Sequence, residues 1–321
     1  MDTLLYYLAS GLIGLLQLFP LDFVARVGMF LGWVAYHLDA RHRKVATNNM
    51  TLCLGKEIPP EKIKELVREN FLRIGEAFAC AAKTVSMKRS LLNERIEIVG
   101  SSKLESYCHA NPPSSVVLAV GHFANFEVLA MANRAIPNHQ IATTYRAIRP
   151  ASINRLLLRL RQKTGGLYFE RRTEGSALRD AVRANNIILG FLSDQHSGEH
   201  GVRIPFLGHD CNTTKAPAVY ALRFNIPLFV AVCYRTKLAH WLIEVSPEIP
   251  TFHNGEPRSV EEVMTDVNRF FESAVRRDPA NWFWVHKRWK GSKIKGSPAK
   301  KSVASPGLNE LDPAAPQNAD L

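Results

Sequence analysis

Cysteine is scarce. The 321-residue chain has five, Cys53, Cys80, Cys108, Cys211 and Cys233, an odd number at wide spacing with no CxxC pair. A disulfide framework is thereby excluded, and reduced thiols in a cytoplasmic compartment are expected. Acidic residues are also short. There are 29 Asp and Glu against 41 Lys and Arg, giving a formal net charge of +12 and a pI of about 9.6. That deficit favours an acidic partner: nucleic acid, anionic lipid or an acidic carrier protein, which composition does not separate. No internal repeat of fixed period is present, which removes repeat arrays. Hydrophobic residues are not lacking. At 46% they suffice for a sizeable core in one large domain or two small ones.

Long apolar runs gather at the N-terminus. Thr3–Leu21 is uncharged, close to the ~20 residues that cross a hydrocarbon core. It lacks the basic n-region and small-residue cleavage site of a secretory signal. Phe23–Leu38 carries only Arg26, and Arg41-His42-Arg43-Lys44 follows. Basic residues just past apolar helices favour the cytoplasmic side and anionic headgroups. Residues 1–45 are therefore expected to anchor the chain to a membrane. Gly11, Gly14 and Pro20 weaken a simple spanning helix, so spanning and lying in the interface both stay open. A helical hairpin buried against the soluble domain is the alternative.

Residues 46–290 alternate between strand and helix patterns. A helix is expected from Pro59-Pro60 to about Lys83, a strand over Arg95–Val99 and a helix over Ser101–His109. Asn111-Pro112-Pro113 reads as a turn. Strand Ser115–Val120 leads to helix Phe126–Arg134, turn Pro137-Asn138 and strand Gln140–Tyr145. Helix Ser152–Lys163, strand Leu167–Glu170, helix Gly175–Ala184 and strand Ile187–Leu192 come next. Helix Lys215–Arg223, strands Leu228–Tyr234 and Trp241–Val245, and helix Val260–Arg276 complete the pattern. This order implies an α/β fold, a layered domain with a central mixed sheet flanked by helices, plus the N-terminal hydrophobic membrane helix region. Residues 291–321 nearly lack large apolar groups and read as a disordered tail with no catalytic role.

The stretch VVLAVGHFANFEVLAM, Val116–Met131, carries the chemistry. An apolar run stops at Gly121, His122 follows, and Glu127 comes five residues later. On one continuous helix that spacing would put the two about 140° apart. With His122 in the loop before the helix, Glu127 falls in the first turn and reaches back to one imidazole nitrogen. The other nitrogen is then free to act as a general base. Downstream, His196 and His200 stand four apart, a spacing that binds zinc on a helix. Gly198 and Gly201 interrupt any helix there, so neither a metal nor another cofactor is expected.

GHFANFE, Thr144-Tyr145-Arg146, SDQHSGEHGVRIPFLG (Ser193–Gly208) and WFWVHKRW (Trp282–Trp289) occur in this order. Together they resemble the bacterial lipid A late acyltransferases, the lauroyl/myristoyl transferase branch of the glycerolipid acyltransferase superfamily. The resemblance spans roughly residues 1–290. GHFANFE is similar to that family's GHxGNWE-like block, with Ala124 where glycine is usual and Phe126 where tryptophan is usual.

The resemblance implies transfer of a fatty acyl group from acyl carrier protein to a hydroxyl of a lipid A precursor. It also implies a site at the cytoplasmic face of the bacterial inner membrane, with no nucleic acid involved. In that reading His122 is the base and Glu127 orients it, and backbone amides of Ala124–Phe126 or the Asn125 side chain hold the oxyanion. Arg146 binds an anionic group of the acceptor, and Arg171 with Arg172 forms a second anion site. Asp194 lines the site beside His122, holding the acceptor or ordering Arg146. Phe191, Leu192, Ile204, Phe206 and Leu207 are either an acyl groove or core, and core is the commoner fate of such residues. The Trp282–Trp289 segment, aromatic and basic together, suits a membrane interface. An acyltransferase with another glycolipid or aminolipid acceptor is the nearest alternative. A non-catalytic basic protein that binds membrane or nucleic acid is the other, and it leaves His122 and Glu127 unexplained.

Overall fold

The computed structural model of the protein describes residues 2–111, 114–131, 139–184 and 186–290. The expected tail, the Pro112-Pro113 and Pro137-Asn138 turns, and the end of the Phe126–Arg134 helix lie outside the described residues.

Four helices come first: α1 (Asp2–Leu18), α2 (Leu21–Leu38), α3 (Ala40–Leu54) and α4 (Pro60–Thr84). Short helix α5 (Arg89–Asn93), strand β1 (Ile96–Val99) and helix α6 (Ser102–Ala110) follow. Next are β2 (Val116–Val120), a 3-10 helix over Phe126–Met131, β3 (Gln140–Tyr145), α7 (Ala151–Gln162) and β4 (Leu167–Glu170). Then come α8 (Gly175–Arg183), β5 (Ile187–Leu192) and the strands β6 (Val202–Phe206) and β7 (His209–Thr213). Helix α9 (Ala216–Phe224), β8 (Leu228–Lys237) and β9 (His240–Val245) lead to the small pair β10 (Phe252–His253) and β11 (Glu256–Pro257), and then to α10 (Val260–Arg277).

Seven strands form one sheet in the order β1-β9-β8-β2-β5-β3-β4. Neighbours are parallel except β8 and β9, so the sheet is mixed, as expected. β2 is buried at every position and β5 nearly so, as befits central parallel strands covered on both faces. Side chains alternate between the two faces. Val117, Ala119, Leu189 and Phe191 join the core on one side, and Val116, Leu118, Val120 and Ile188 the core on the other.

The N-terminal run does not form one helix. Pro20 has no N–H to continue a helix, so α1 stops at Leu18 and α2 starts at Leu21. Helix α1 is about 26 Å long, short of the ~30 Å hydrocarbon core. Among the described residues no helix is long and apolar enough to cross a membrane, so the expected transmembrane helix is not supported. Nor do the two helices form a buried hairpin. Helix α2 packs closely along α4, where a Cβ on Gly28 or Gly75 would run into the backbone of the other helix. Helix α1 buries no residue, and Leu4, Leu8, Leu12, Leu15 and Leu18 are exposed.

The Ser193–Gly208 stretch, where glycines were expected to interrupt any helix, contains strand β6, which pairs antiparallel with β7. Leu207 and Gly208 turn the chain between them with positive φ at both positions, the requirement of a tight two-residue hairpin. This pair puts Ile204, Phe206 and Leu207 in the core rather than in a groove.

Candidate active site

The site lies where β2 and β5 end. They run parallel, with Val120 opposite Leu192 as the last pair. The backbone N–H of Ser193 extends the ladder by donating to Val120 C=O at 2.8 Å. Two residues beyond the pair, His122 and Asp194 therefore face each other. Nδ1 of His122 is 2.7 Å from Asp194 Oδ1. Asp194 Oδ2 accepts from the His122 backbone N–H and from Trp282 Nε1–H, both at 2.7 Å.

Asp194 has no exposed surface. Burial alone would push its pKa up. The adjacent His122 and the three hydrogen bonds outweigh burial and hold it below the usual carboxylate value. An ionised carboxylate only accepts, so His122 Nδ1 carries a hydrogen, and in the neutral imidazole the lone pair is then on Nε2.

The loop after β2 is held by a distant segment. Phe123 makes an antiparallel bridge to Trp282. Phe283 N–H donates to His122 C=O at 3.1 Å, and Ala124 N–H to Asn281 C=O at 3.0 Å. That segment is gripped in turn by two helices. Asn70 on α4 donates to the carbonyls of Ala280 and Trp282, and Asn49 on α3 to those of Trp284 and His286.

The aromatic and basic residues of Trp282–Trp289 thus do not form a membrane surface, and that expectation is corrected. Trp282, Trp284, Trp289 and Arg288 are all buried. Each indole N–H has an internal acceptor. The Arg288 guanidinium donates to Gln195 C=O, Asn212 C=O and Thr213 Oγ1. Indole N–H groups and the two Arg288 Nη atoms satisfied in this way can be buried.

A cleft of about 690 Å³ opens at His122 and crosses the C-terminal ends of β2, β5 and β3, the place where open α/β sheets bind ligands. Its floor is apolar, with Leu118, Val120, Ile141 and Ile188 among its residues. The Arg161 guanidinium, from α7, lines it too and meets Glu127 through two hydrogen bonds, at 2.6 and 3.4 Å. His196 and His286 line the cleft as well, and burial pushes the His286 imidazole down to about 4.

The model of the family described as bacterial lipid A biosynthesis acyltransferase matches residues 1–291. The chain belongs to this family. No curated protein matches it.

In this lipid A biosynthesis acyltransferase, Glu127 was expected to orient His122. Its carboxylate instead bonds Arg161, and Asp194 occupies the orienting position on Nδ1. The cause is the register of β2 and β5, which aims Asp194 at the imidazole. Asp194 was expected to touch the acceptor or order Arg146. It is buried, and its acceptor contacts go to His122 and Trp282.

Arg146 and Arg171 line the cleft, together with Phe191 and Leu192. Asn125 is buried beside His122 in a small adjoining chamber of about 30 Å³ that shares His122, Phe126 and Glu127 with the cleft, and neither its Nδ2 nor its Oδ1 has a partner. Ala124 N–H is already engaged by Asn281, which removes it from the expected oxyanion donors. Ala124 has φ +42°, in the left-handed region, which accounts for glycine being usual there. Sequence reasoning missed Trp282 and Arg161 as neighbours of the site. Both approach through tertiary packing, and no local spacing signals them.

Proposed function

We propose that this acyltransferase moves a fatty acyl group from acyl carrier protein to a hydroxyl of a lipid A precursor, with His122 as general base and Asp194 as its orienting acid. The observation that carries this reading is the His122–Asp194 pair, with Nε2 free at the end of an apolar cleft.

His122 Nε2 takes the proton of the acceptor hydroxyl as its oxygen attacks the thioester carbonyl. The buried Asp194 carboxylate steadies the imidazolium that forms. A C–O bond forms and the carbonyl oxygen becomes an oxyanion, for which the unpartnered Asn125 amide is the donor we assign. The C–S bond then breaks, and the proton passes from His122 to the departing thiolate. The products are an ester and the free thiol of the carrier. Arg146 and Arg171 supply cations for phosphates or carboxylates on the acceptor, and the net charge of +12 suits both an acidic carrier and an anionic surface.

The exposed leucines of α1 lead us to place that helix in the interface of the inner membrane, on the cytoplasmic side, lying in the lipid surface rather than crossing it.

Mass spectrometry of lipid A from a strain lacking the gene tests the reading. Loss of one secondary acyl chain is expected, restored by the wild-type chain and not by His122→Ala, whose turnover should fall at least ~100-fold. An unchanged lipid A profile refutes it. Loss of an acyl chain from a different lipid would keep the chemistry and replace the acceptor.

A further inference from the structure

Strand β5 carries a glycine that neither its backbone nor its packing requires. Gly190 has no positive φ. A Cβ built on it would meet only Ala142 O and Val120 Cγ2, both at 3.8 Å, which is ordinary contact. Glycine in a strand interior weakens the strand, and one of its recurrent uses there is to let a ligand approach the backbone closely. Ile188, Leu189 and Phe191 are buried by protein, whereas Gly190 is partly open and lines the cleft.

The register shows what surrounds it. Gly190 stands between Leu118 on β2 and Thr143 on β3. Ile188 and Leu192 flank it on the same face of the sheet. All four line the cleft. The Thr143 hydroxyl donates to Gly190 C=O at 2.7 Å, so it is already partnered within the sheet. The floor is therefore an apolar surface with a dent at its centre, under the bare Cα. Its position relative to the base follows from the same register. Leu118 lies four residues before His122 along the chain, and β2 ends at Val120, so the dent lies within roughly 13 Å of the base along the chain, the span of four extended residues.

A thioester carbon must sit at His122 Nε2 to react, and the chain attached to it must leave through the cleft. The direction lined by Arg146 and Arg171 suits the charged acceptor, which leaves the apolar floor for the acyl chain of the donor. We infer that Gly190 sets the length of donor acyl chain that the enzyme accepts, because its missing side chain leaves the path open for the distal methylenes. This rests on the acyltransferase reading above.

Detergent-solubilised full-length enzyme is assayed with saturated acyl carrier protein thioesters of graded length and a lipid A precursor, and products are read by mass. Gly190→Val should lower kcat/KM at least ~10-fold for the longest donor the wild type uses, the range that methylene-scale steric discrimination commands. The loss should shrink as the donor shortens, so that the ratio of kcat/KM for long over short donors falls. Gly190→Ala should shift the preference in the same direction by less, and it decides the matter if circular dichroism shows the valine variant to be unfolded. Equal loss at every length, or unchanged preference in a folded variant, overturns the assignment of Gly190 and leaves the acyltransferase reading standing. Absence of transfer by the wild type from every donor overturns that reading and this one with it.

Discussion

Replacing Asp194 by Asn changes one buried atom and should change the tautomer of the base. Asp194 meets three N–H donors at 2.7 Å, two of them on Oδ2. An asparagine there keeps its oxygen where Oδ2 was, because both the His122 backbone N–H and Trp282 Nε1–H need an acceptor. Its amide nitrogen then faces His122 Nδ1 and donates to it. Nδ1 must become the acceptor, the hydrogen moves to Nε2, and the lone pair that takes the substrate proton is gone. The equivalent swap in a serine-protease triad costs ~10⁴ in kcat. A loss of ~10³–10⁴ is expected here, about 4–5.5 kcal/mol at 1.36 kcal/mol per decade. KM should hardly change, because Asp194 is buried and does not line the cleft. The assay is steady-state acyl transfer with both substrates varied, on protein checked for its thermal transition. A kcat within about tenfold of wild type would refute the tautomer argument. The same swap at Glu127 breaks a bond to Arg161 and leaves the imidazole alone, so its loss in kcat should be smaller. The reverse order would return the orienting role to Glu127.

Trp282→Phe keeps the buried ring and removes one donor from Asp194. A hydrogen bond to a charged group is worth ~1.5–3 kcal/mol, so Tm should fall by about 2–5 °C for a chain of this size; an unchanged melting curve would count against the bond. His286 gives a pH signature. Its imidazole is held down from 6.5 to about 4 by burial, so the unfolded chain binds a proton below 6.5 that the folded chain refuses until about 4. Stability from this group is complete above 6.5 and is lost as pH falls through that window. His286→Gln should therefore flatten part of the decline in Tm between 6.5 and 4. Asp194, depressed below its ordinary 3.8, contributes only further down, where stability is lost as pH falls beneath that value. Leu8→Glu with Leu12→Glu should weaken sedimentation with anionic vesicles at least ~10-fold, since each leucine buried in lipid contributes ~1.5–3 kcal/mol. Equal sedimentation would remove α1 from the membrane contact.

The sheet was legible because its central strands are continuous apolar runs, and the flanking helices because their apolar residues recur at helical spacing. The register was not legible, and the site depends on it. His122 and Glu127 lie in one segment, so their spacing drew the eye. His122 and Asp194 meet only because β2 and β5 are parallel neighbours. A signal was nevertheless present: each apolar run is followed by one small residue and then a polar one, Gly121-His122 and Ser193-Asp194. The β6–β7 hairpin was overlooked because glycine and histidine at Ser197–Gly201 masked the alternation of Val202, Ile204 and Phe206. The Trp282–Trp289 segment misled for a different reason. Tryptophan beside arginine looks the same in a core as at a lipid surface, and only the acceptors that meet the indole and guanidinium groups tell them apart. At the N-terminus, absence of charge pointed to a membrane anchor and left spanning open, and the break at Pro20 leaves no described helix long and apolar enough to cross.

Asn49 and Asn70 reach from α3 and α4 to carbonyls more than two hundred residues further along. A chain synthesised from its N-terminus presents α1 and α2 long before those carbonyls exist. The exposed leucines of α1 therefore emerge well ahead of the His122–Asp194 site. The bridge at Phe123 and the third contact on Asp194 arrive only with Trp282, when the last strip of the domain is drawn between the early helices and the sheet. On the proposed reading, in which α1 lies on the bilayer and His122 is the base, a nascent chain settles there while still inert and completes its site once it is already in place.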